Sequence, residues 1–267
     1  VAGPGAREWV ESILANRIPK QRGRIALCHM LNKNGGVRAE FTVYEHAPGR
    51  FYLVSAGAYE RHDHDYLRKL APEDGSVVLN YLTTRTGVLV LAGPRSRVVL
   101  QQLTDTDLSS AAFPWLTGKS ISVGPVSCHA LRVNFVGELG WEFHHPIEQQ
   151  NALFDLLMDA GRKFGIKPYG IKALSSLSIE KSYRLIPREL SIEYSAYESG
   201  LDRFVQPNKG QFVGRDALVA GRAKGLAWRF VTMEVKGVTD EGSDVRGSEP
   251  IHDKAGKLVG RATNGGY

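Results

Sequence analysis

The sequence has few of the features that mark specialised protein classes. It contains two cysteines in 267 residues, Cys28 and Cys128, which are too few for a disulfide framework. No apolar run approaches the ~18 residues of a transmembrane helix, and residues 1–5 lack the basic and apolar regions of a signal peptide. We therefore expect no membrane segment. The compartment stays open, with the cytoplasm, or the mitochondrial matrix in a eukaryote, as the expected location.

The chain is basic, but its basic residues are not clustered in the sequence. The net charge is +6 and the isoelectric point is near 9.3, which favours anionic partners. Lysine and arginine are scattered, and no stripe of basic and aromatic residues is present, so nucleic acid is not an expected partner. A small polycarboxylate would fit the charge equally well, and an ordinary solubilising surface is the simplest interpretation.

Two patterns suggest a metal site, and neither has the right spacing. Each cysteine precedes a histidine, but there is no Cys-x-x-Cys pair, which favours two buried cysteines in strands. The run His62-Asp63-His64-Asp65 alternates ligand types, but residues two apart on a helix point to different sides. The sequence therefore predicts no metal site.

Hydrophobic periodicity predicts an α+β chain. The predicted helices are residues 6–16, 59–70, 94–103, 147–165, 170–183 and 214–221. The predicted strands are residues 37–44, 50–55, 76–82, 88–92, two within 121–135, 141–145, 228–235, 250–252 and 257–261. Neither terminus reads as an exposed linker, so we expect a piece of a longer polypeptide.

Four ordered stretches carry a family resemblance. They are His29-Met30-Leu31 with residues 37–43, residues 51–67, the hexapeptide Gly-Glu-Leu-Gly-Trp-Glu at 137–142, and Phe-Val-Gly-Arg-Asp-Ala-Leu at 212–218. Together they resemble the folate-binding module shared by the glycine-cleavage T-protein and the carboxyl-terminal parts of dimethylglycine and sarcosine dehydrogenases. Residues 87–94 and 263–267 resemble the dehydrogenase branch.

The resemblance covers nearly the whole chain and implies its architecture. It implies antiparallel sheets with helices mostly on one face, in several subdomains around a central folate cavity, truncated at both ends. The expected divisions are a ferredoxin-like α+β subdomain at 1–120, a central folate-binding subdomain at 121–225, and the incomplete start of a carboxyl-terminal β subdomain at 226–267.

Asp63 matches the family aspartate that faces the reactive nitrogens of the reduced folate. A carboxylate there would stabilise positive charge and move a proton while an electrophilic one-carbon unit is transferred. From the residues alone, the alternative is a solvated carboxylate on a charged helix face.

Glu142 matches the family glutamate that binds the pterin edge. A pterin presents adjacent N–H and amino donors, and one carboxylate accepts two such bonds side by side. The alternative interpretation is a strand-end glutamate in a glycine-rich turn.

Aromatic residues are further candidates for the cavity. Phe135 stands where many relatives have tyrosine, so stacking is retained and one hydroxyl is lost. Tyr52, Tyr59 and Trp141 are candidates for the cavity wall, with ordinary core packing as the equal alternative. Leu174 replaces an arginine of the T-protein, as in the dehydrogenase branch, whereas Ser178 replaces a further family arginine without an evident reason.

The resemblance implies transfer of an aminomethyl or methylene unit to tetrahydrofolate, giving methylenetetrahydrofolate. The expected donor is a small methylamine or its iminium. FAD is expected only if a separate upstream domain exists, because the chain has no Gly-x-Gly-x-x-Gly after a strand; a flavin oxidoreductase domain or subunit is then a partner. Two alternatives remain, a folate-dependent O- or S-demethylase and a non-catalytic folate-binding protein.

Overall fold

The computed structural model describes residues 1–237 and 245–266. The helices are α1 (Ala6–Ile13), α2 (Glu60–Leu70), α3 (Ser96–Leu100), α4 (Gln150–Gly161), α5 (Ile171–Glu180) and α6 (Arg215–Lys224). The strands are β1 (Ile25–Leu31), β2 (Val37–Ala47), β3 (Arg50–Val54), β4 (Thr86–Ala92), β5 (Gly118–Val123), β6 (Val126–Leu131), β7 (Gly140–Pro146), β8 (Pro250–His252) and β9 (Leu258–Arg261).

The first sheet has the antiparallel order β1-β2-β3. Alternation along β2 buries Ala39, Phe41 and Val43 against helix α1 and Leu67 of α2. The indole nitrogen of Trp9 donates a hydrogen bond of 2.8 Å to the carbonyl oxygen of Leu70, which joins α1 to the end of α2. Both helices therefore cover one face of this sheet.

The second sheet has the antiparallel order β4-β7-β6-β5. Its outer face packs on helices α3 and α4, where Phe143 of β7 shares a buried cluster with Leu100, Leu153 and Leu157. The predicted class, antiparallel sheets with helices on one face of each, is confirmed.

The two sheets meet through the faces that their helices leave free. Ile25, Tyr44 and Leu131 form a buried cluster there, with Tyr52 and Val54 packed against it. We call this junction, lined by alternate residues of β2, β3, β6 and β7 and by Ile25 at the start of β1, the inter-sheet face. It is the place where side chains from sequence-distant strands come together.

Two predicted strands are absent from the described residues. In the predicted strand 76–82, only Val78 pairs, in an isolated bridge with Ala2. In 228–235 the predicted alternation is present, but Val231, Met233 and Val235 are exposed and no described strand lies beside them. Alternation alone was insufficient because a strand also needs a partner with free backbone groups.

The predicted division of the chain stays a prediction, and sheet pairing crosses its first boundary. Strand β4 lies before residue 120 and pairs with β7, which lies after it. The strands predicted within 1–120 therefore belong to separate sheets. Strand β1, which the periodicity did not indicate, completes the first sheet and is buried over most of its length.

Candidate functional site

Strand β7 separates core residues from candidate ligand residues. Successive strand side chains point to opposite faces, so Trp141 and Phe143 enter the helix-covered core while Glu142 and His144 face the other way. Trp141 is 0% exposed and its ring lies edge-on to Phe113 at 6.1 Å. Of the two interpretations for Trp141, the structure favours core packing over a cavity wall.

Two glycines set the path of the chain into β7. Gly137 has φ of 72°, a left-handed conformation that side-chain-bearing residues rarely adopt. A Cβ at Gly140 would overlap the carbonyl oxygen of Leu91 on β4. Gly140 lets β7 approach β4 closely, and Glu142 follows two residues later.

Glu142 lies in a small polar group on the inter-sheet face. Its carboxylate oxygen Oε2 is 3.4 Å from Nε2 of His144, and the Glu142 side chain is 21% exposed. The hydroxyl of Tyr52 on β3 is 3.2 Å from Nδ1 of the same histidine. The structure thus brings Tyr52 and Glu142, both predicted site residues, together through a histidine that the sequence did not indicate.

Besides burial, the negative charge of Glu142 affects the pKa of two tyrosines, Tyr52 and Tyr169. Burial raises the pKa of Tyr52, and the negative charge of Glu142 raises it further. The pKa of Tyr169 is raised by the same two causes in the same order. Tyr169 was not predicted, and the only local signal is its place between Pro168 and Gly170. Both hydroxyls therefore keep their protons at neutral pH.

Further histidines line the same junction. His129 of β6 stands opposite His144 in the β6–β7 register, and its ring is 5.7 Å from that of His46. Burial lowers the pKa of His129, and the neighbouring His144 lowers it further. Burial also lowers the pKa of His46, followed by the effect of His129. These imidazoles favour the neutral state.

Asp63 lies in the first turn of α2, and its side chain is buried. It is 5% exposed, so the alternative of a solvated helix carboxylate is wrong. Its Oδ1 is 3.0 Å from Nδ1 of His62, whose ring stacks edge-on with Tyr59 at 5.6 Å. Within residues 1–237 and 245–266, His62 is the only ion-pair partner of Asp63 within 4 Å.

Phe135 belongs to a separate contact. It is half-buried, and its ring lies 5.5 Å from that of Tyr183, which follows α5. The predicted residues therefore fall into three places: Tyr52 with Glu142, Tyr59 with Asp63, and Phe135 with Tyr183. Among the described side chains no hydrogen bond or ion pair joins Asp63 to Glu142.

The first sheet carries a second histidine–carboxylate pair. His29 and Glu40 are register partners on β1 and β2, and their Nε2 and Oε2 atoms are 2.9 Å apart. His29 is fully buried and its ring lies 5.7 Å from that of Phe204. His29 lies in one of the stretches that carry the family resemblance, but its pairing with Glu40 was not predicted.

The cysteines are buried in strands, as predicted. Cys28 lies on β1 and Cys128 on β6. Burial raises the pKa of Cys28 to about 12 and that of Cys128 to about 11. Both remain thiols at neutral pH, which makes them poor nucleophiles. In the part of the chain that the structure describes, no three His, Cys, Asp or Glu side chains form a candidate metal cluster.

No helix within the described ranges has the length and hydrophobicity needed to cross a bilayer. Two carboxylates, Glu142 beside Tyr52 and Asp63 beside His62, are the candidates for contact with a small polar ligand. The partly exposed carboxylate of Glu142 can accept hydrogen bonds from paired donors. The buried carboxylate of Asp63, with no lysine or arginine against it among the described residues, can balance a positive charge or take up a proton.

Comparison with known proteins gives consistent matches. A family model described as "GCVT N-terminal domain" matches residues 1–209. Mitochondrial dimethylglycine dehydrogenase of Homo sapiens is 38% identical over 269 residues, covering 100% of this chain and 30% of the relative. The aminomethyltransferase of Thermoanaerobacter sp. is 30% identical over 251 residues, covering 92% of this chain and 67% of the relative.

A solved structure matches the fold. The glycine cleavage system aminomethyltransferase T of Bartonella henselae superimposes with a TM-score of 0.83 at 22% identity, covering 100% of this chain and 70% of that one. The chain spans 30–31% of the length of the dimethylglycine dehydrogenases that it resembles.

Proposed function

Because the chain belongs to the GCVT N-terminal domain family, we propose that it binds tetrahydrofolate between Glu142 on the inter-sheet face and Asp63 on helix α2, and transfers a one-carbon unit to it. The relatives compared above are enzymes, namely aminomethyltransferases and dimethylglycine dehydrogenases. The observation that carries the proposal is the burial of Asp63 with only His62 as its ion-pair partner among the described residues.

Glu142 would provide recognition of the pterin. Its carboxylate is partly exposed on the inter-sheet face, and a pterin edge offers two adjacent donors to such a group. A ligand without those donors would leave the carboxylate unpaired in a half-buried place, at a cost of about 1–3 kcal/mol. The residues present therefore fit the ligand that the family implies.

Asp63 would act on the reacting nitrogen. When bound, tetrahydrofolate supplies a nucleophilic nitrogen, N5, which accepts the one-carbon unit. The Asp63 carboxylate would balance positive charge near N5 and accept the proton that N5 loses. Burial strengthens both effects, since charges interact more strongly away from water.

The donor in this proposal is a methylene iminium derived from a methylamine such as dimethylglycine or sarcosine, and the product is methylenetetrahydrofolate. The oxidation that makes the iminium would belong to a flavin domain or subunit outside this chain, because the chain matches only 30–31% of the dehydrogenases. For a eukaryotic source we also propose a mitochondrial location, because the dimethylglycine dehydrogenases that the chain resembles are named as mitochondrial.

A transfer assay tests the role of Asp63. The iminium is formed from sarcosine and formaldehyde, and formation of methylenetetrahydrofolate is followed above the uncatalysed rate. We expect Asp63→Asn to lower the transfer rate by about 100-fold or more while tetrahydrofolate binds nearly normally. Asp65→Asn, an exposed carboxylate on the same helix, is the matched control.

The outcomes separate the alternatives. Equal loss of binding and transfer in Asp63→Asn would make Asp63 a binding residue and contradict its proton-transfer role. Binding by wild type with no turnover would favour a non-catalytic folate-binding protein. Turnover with methyl ethers or methyl sulfonium compounds, but not with the iminium, would favour a demethylase.

A further inference from the structure

We propose that His144 is a positioning residue: held by Tyr52, it fixes the carboxylate of Glu142 in the orientation that receives the ligand. This inference rests on the proposed function, because Glu142 is the pterin-binding residue there. It assigns a role to Tyr52 and His144, which would affect ligand binding only through the carboxylate of Glu142.

The geometry places His144 between two groups. Its Nδ1 is 3.2 Å from the Tyr52 hydroxyl, and its Nε2 is 3.4 Å from Oε2 of Glu142. The Tyr52 and His144 rings meet edge-on, with centroids 5.4 Å apart and planes at 86°. The His144 side chain is 1% exposed. The imidazole is thus confined by packing, with one nitrogen toward each partner.

The carboxylate of Glu142, which can only accept, favours one tautomer of His144. Burial and the charge of Glu142 raise the pKa of Tyr52, so at neutral pH the hydroxyl keeps its proton and can donate to Nδ1 of His144, 3.2 Å away. A neutral imidazole that accepts at Nδ1 carries its proton on Nε2. That N–H lies on the side of the Glu142 carboxylate, which can only accept.

The contact between His144 and Glu142 is long in the structure. At 3.4 Å it exceeds the usual range for a hydrogen bond, and the buried Nε2 has no hydrogen-bond partner among the described residues. Hydrogen bonds in binding and catalytic sites commonly tighten when the ligand arrives. Oε2 of Glu142 faces His144, while Oε1 makes no hydrogen bond or ion pair with a described side chain and would meet the ligand.

Positioning of this kind improves affinity by reducing the ordering that binding requires. If the Tyr52 hydroxyl is removed, Nδ1 loses its donor and the other tautomer becomes accessible. In that tautomer the Nε2 lone pair faces the carboxylate, so two acceptors oppose each other. Glu142 would then lose its fixed orientation without any change to its own side chain.

The first arm of the test needs no ligand. Nitrogen-15 NMR of the labelled chain reports the tautomer of each histidine, and the His144 signals are identified by their loss in His144→Asn. We expect the Nε2–H tautomer in wild type and a shift toward Nδ1–H in Tyr52→Phe. An Nδ1–H tautomer in wild type would overturn the proposal, whatever the ligand does.

The second arm measures the Kd of tetrahydrofolate by calorimetry in a double-mutant cycle. Tyr52→Phe is expected to raise the Kd by about 5- to 10-fold, the effect of one hydrogen bond of modest strength. In a Glu142→Gln background the same change should raise it by less than about twofold, because the group that Tyr52 acts through has been altered. His144→Asn should behave like Tyr52→Phe, and the exposed His252→Gln is the control.

The two arms distinguish this inference from the proposed function. An equal effect of Tyr52→Phe in both backgrounds would mean that Tyr52 acts on the ligand or the fold directly, and would overturn the positioning role while tetrahydrofolate binding stands. If the tautomers are as expected but wild type binds no tetrahydrofolate, the proposed function fails and with it the ligand-directed part of the inference. Thermal unfolding of every variant identifies any that lose the fold.

Discussion

The two faces of strand β7 show how one short segment serves both stability and ligand binding. On one face Trp141 and Phe143 are fully buried among the residues of α3 and α4. On the other, Glu142 and His144 form a polar chain that reaches Tyr52 on a different sheet. Burial of apolar surface on the first face stabilises the fold. On the second face, polar groups are partly removed from water, which lowers the stability unless hydrogen-bond partners replace the water.

The largest loss of stability is expected from a substitution on the core face of β7. Trp141→Ala removes a large buried ring from the middle of the second sheet and should lower the free energy of unfolding by about 3–5 kcal/mol. Chemical denaturation followed by circular dichroism measures this. A loss under ~1 kcal/mol would mean that Trp141 does not belong to the core. Trp141 would then again be a candidate for the wall of the ligand cavity.

The polar junction should make the protein sensitive to acid. The pKa of His129 is lowered from 6.5 in the folded state, by burial first and by His144 second, so the unfolded chain binds protons more readily. The stability contribution is therefore complete above pH 6.5 and is lost as the pH falls below it. The groups facing His129 are His46, His144, Tyr52 and Ser120.

His129→Gln tests that dependence. The variant should flatten the fall in unfolding free energy below neutral pH, by up to the ~1.4 kcal/mol per pH unit that one proton contributes. Denaturation midpoints measured from pH 5 to pH 8 report it, with the exposed His252→Gln as control. An unchanged slope in His129→Gln would show that other groups cause the acid sensitivity.

The smallest expected effect lies on the polar face. Glu142→Gln should change the free energy of unfolding by no more than ~0.5 kcal/mol, because the side chain is partly exposed and makes no close contact in the core. Measured beside Trp141→Ala, the Glu142→Gln variant compares the contributions to stability of two adjacent residues on opposite faces of one strand. A large loss of stability would instead make Glu142 part of the structural framework.

Much of the fold could be predicted because its signals are local. Helix α2 and strand β7 carry periodicity or glycine signals within their own residues, and the residue after Gly140-Trp141 is the glutamate that the resemblance selects. The 76–82 and 228–235 segments were wrong because alternation does not say whether a partner strand is present. The β4–β7 pairing could not be predicted either, since it joins residues 48 to 60 positions apart.

Candidate site residues could be selected only where the family resemblance reached. Asp63 and Glu142 were selected in this way and stay predictions, and alternation separated Trp141 from Glu142 once the strand was known. The sequence did not select His144 and Tyr169 because their proximity to Tyr52 and Glu142 arises from the tertiary structure, which no spacing in the sequence encodes. Asp63 had been open to a solvated interpretation because a charged run surrounds it; its burial was decided by tertiary packing.

The central claim, that the inter-sheet face binds tetrahydrofolate through Glu142, is tested most directly by calorimetric titration of the chain with tetrahydrofolate. We expect wild type to bind, Glu142→Ala to lose about 1–3 kcal/mol of binding free energy, and Glu138→Ala, an exposed glutamate of the same turn, to bind as wild type does. Equal affinities for wild type and Glu142→Ala, or no binding by wild type, would contradict the account.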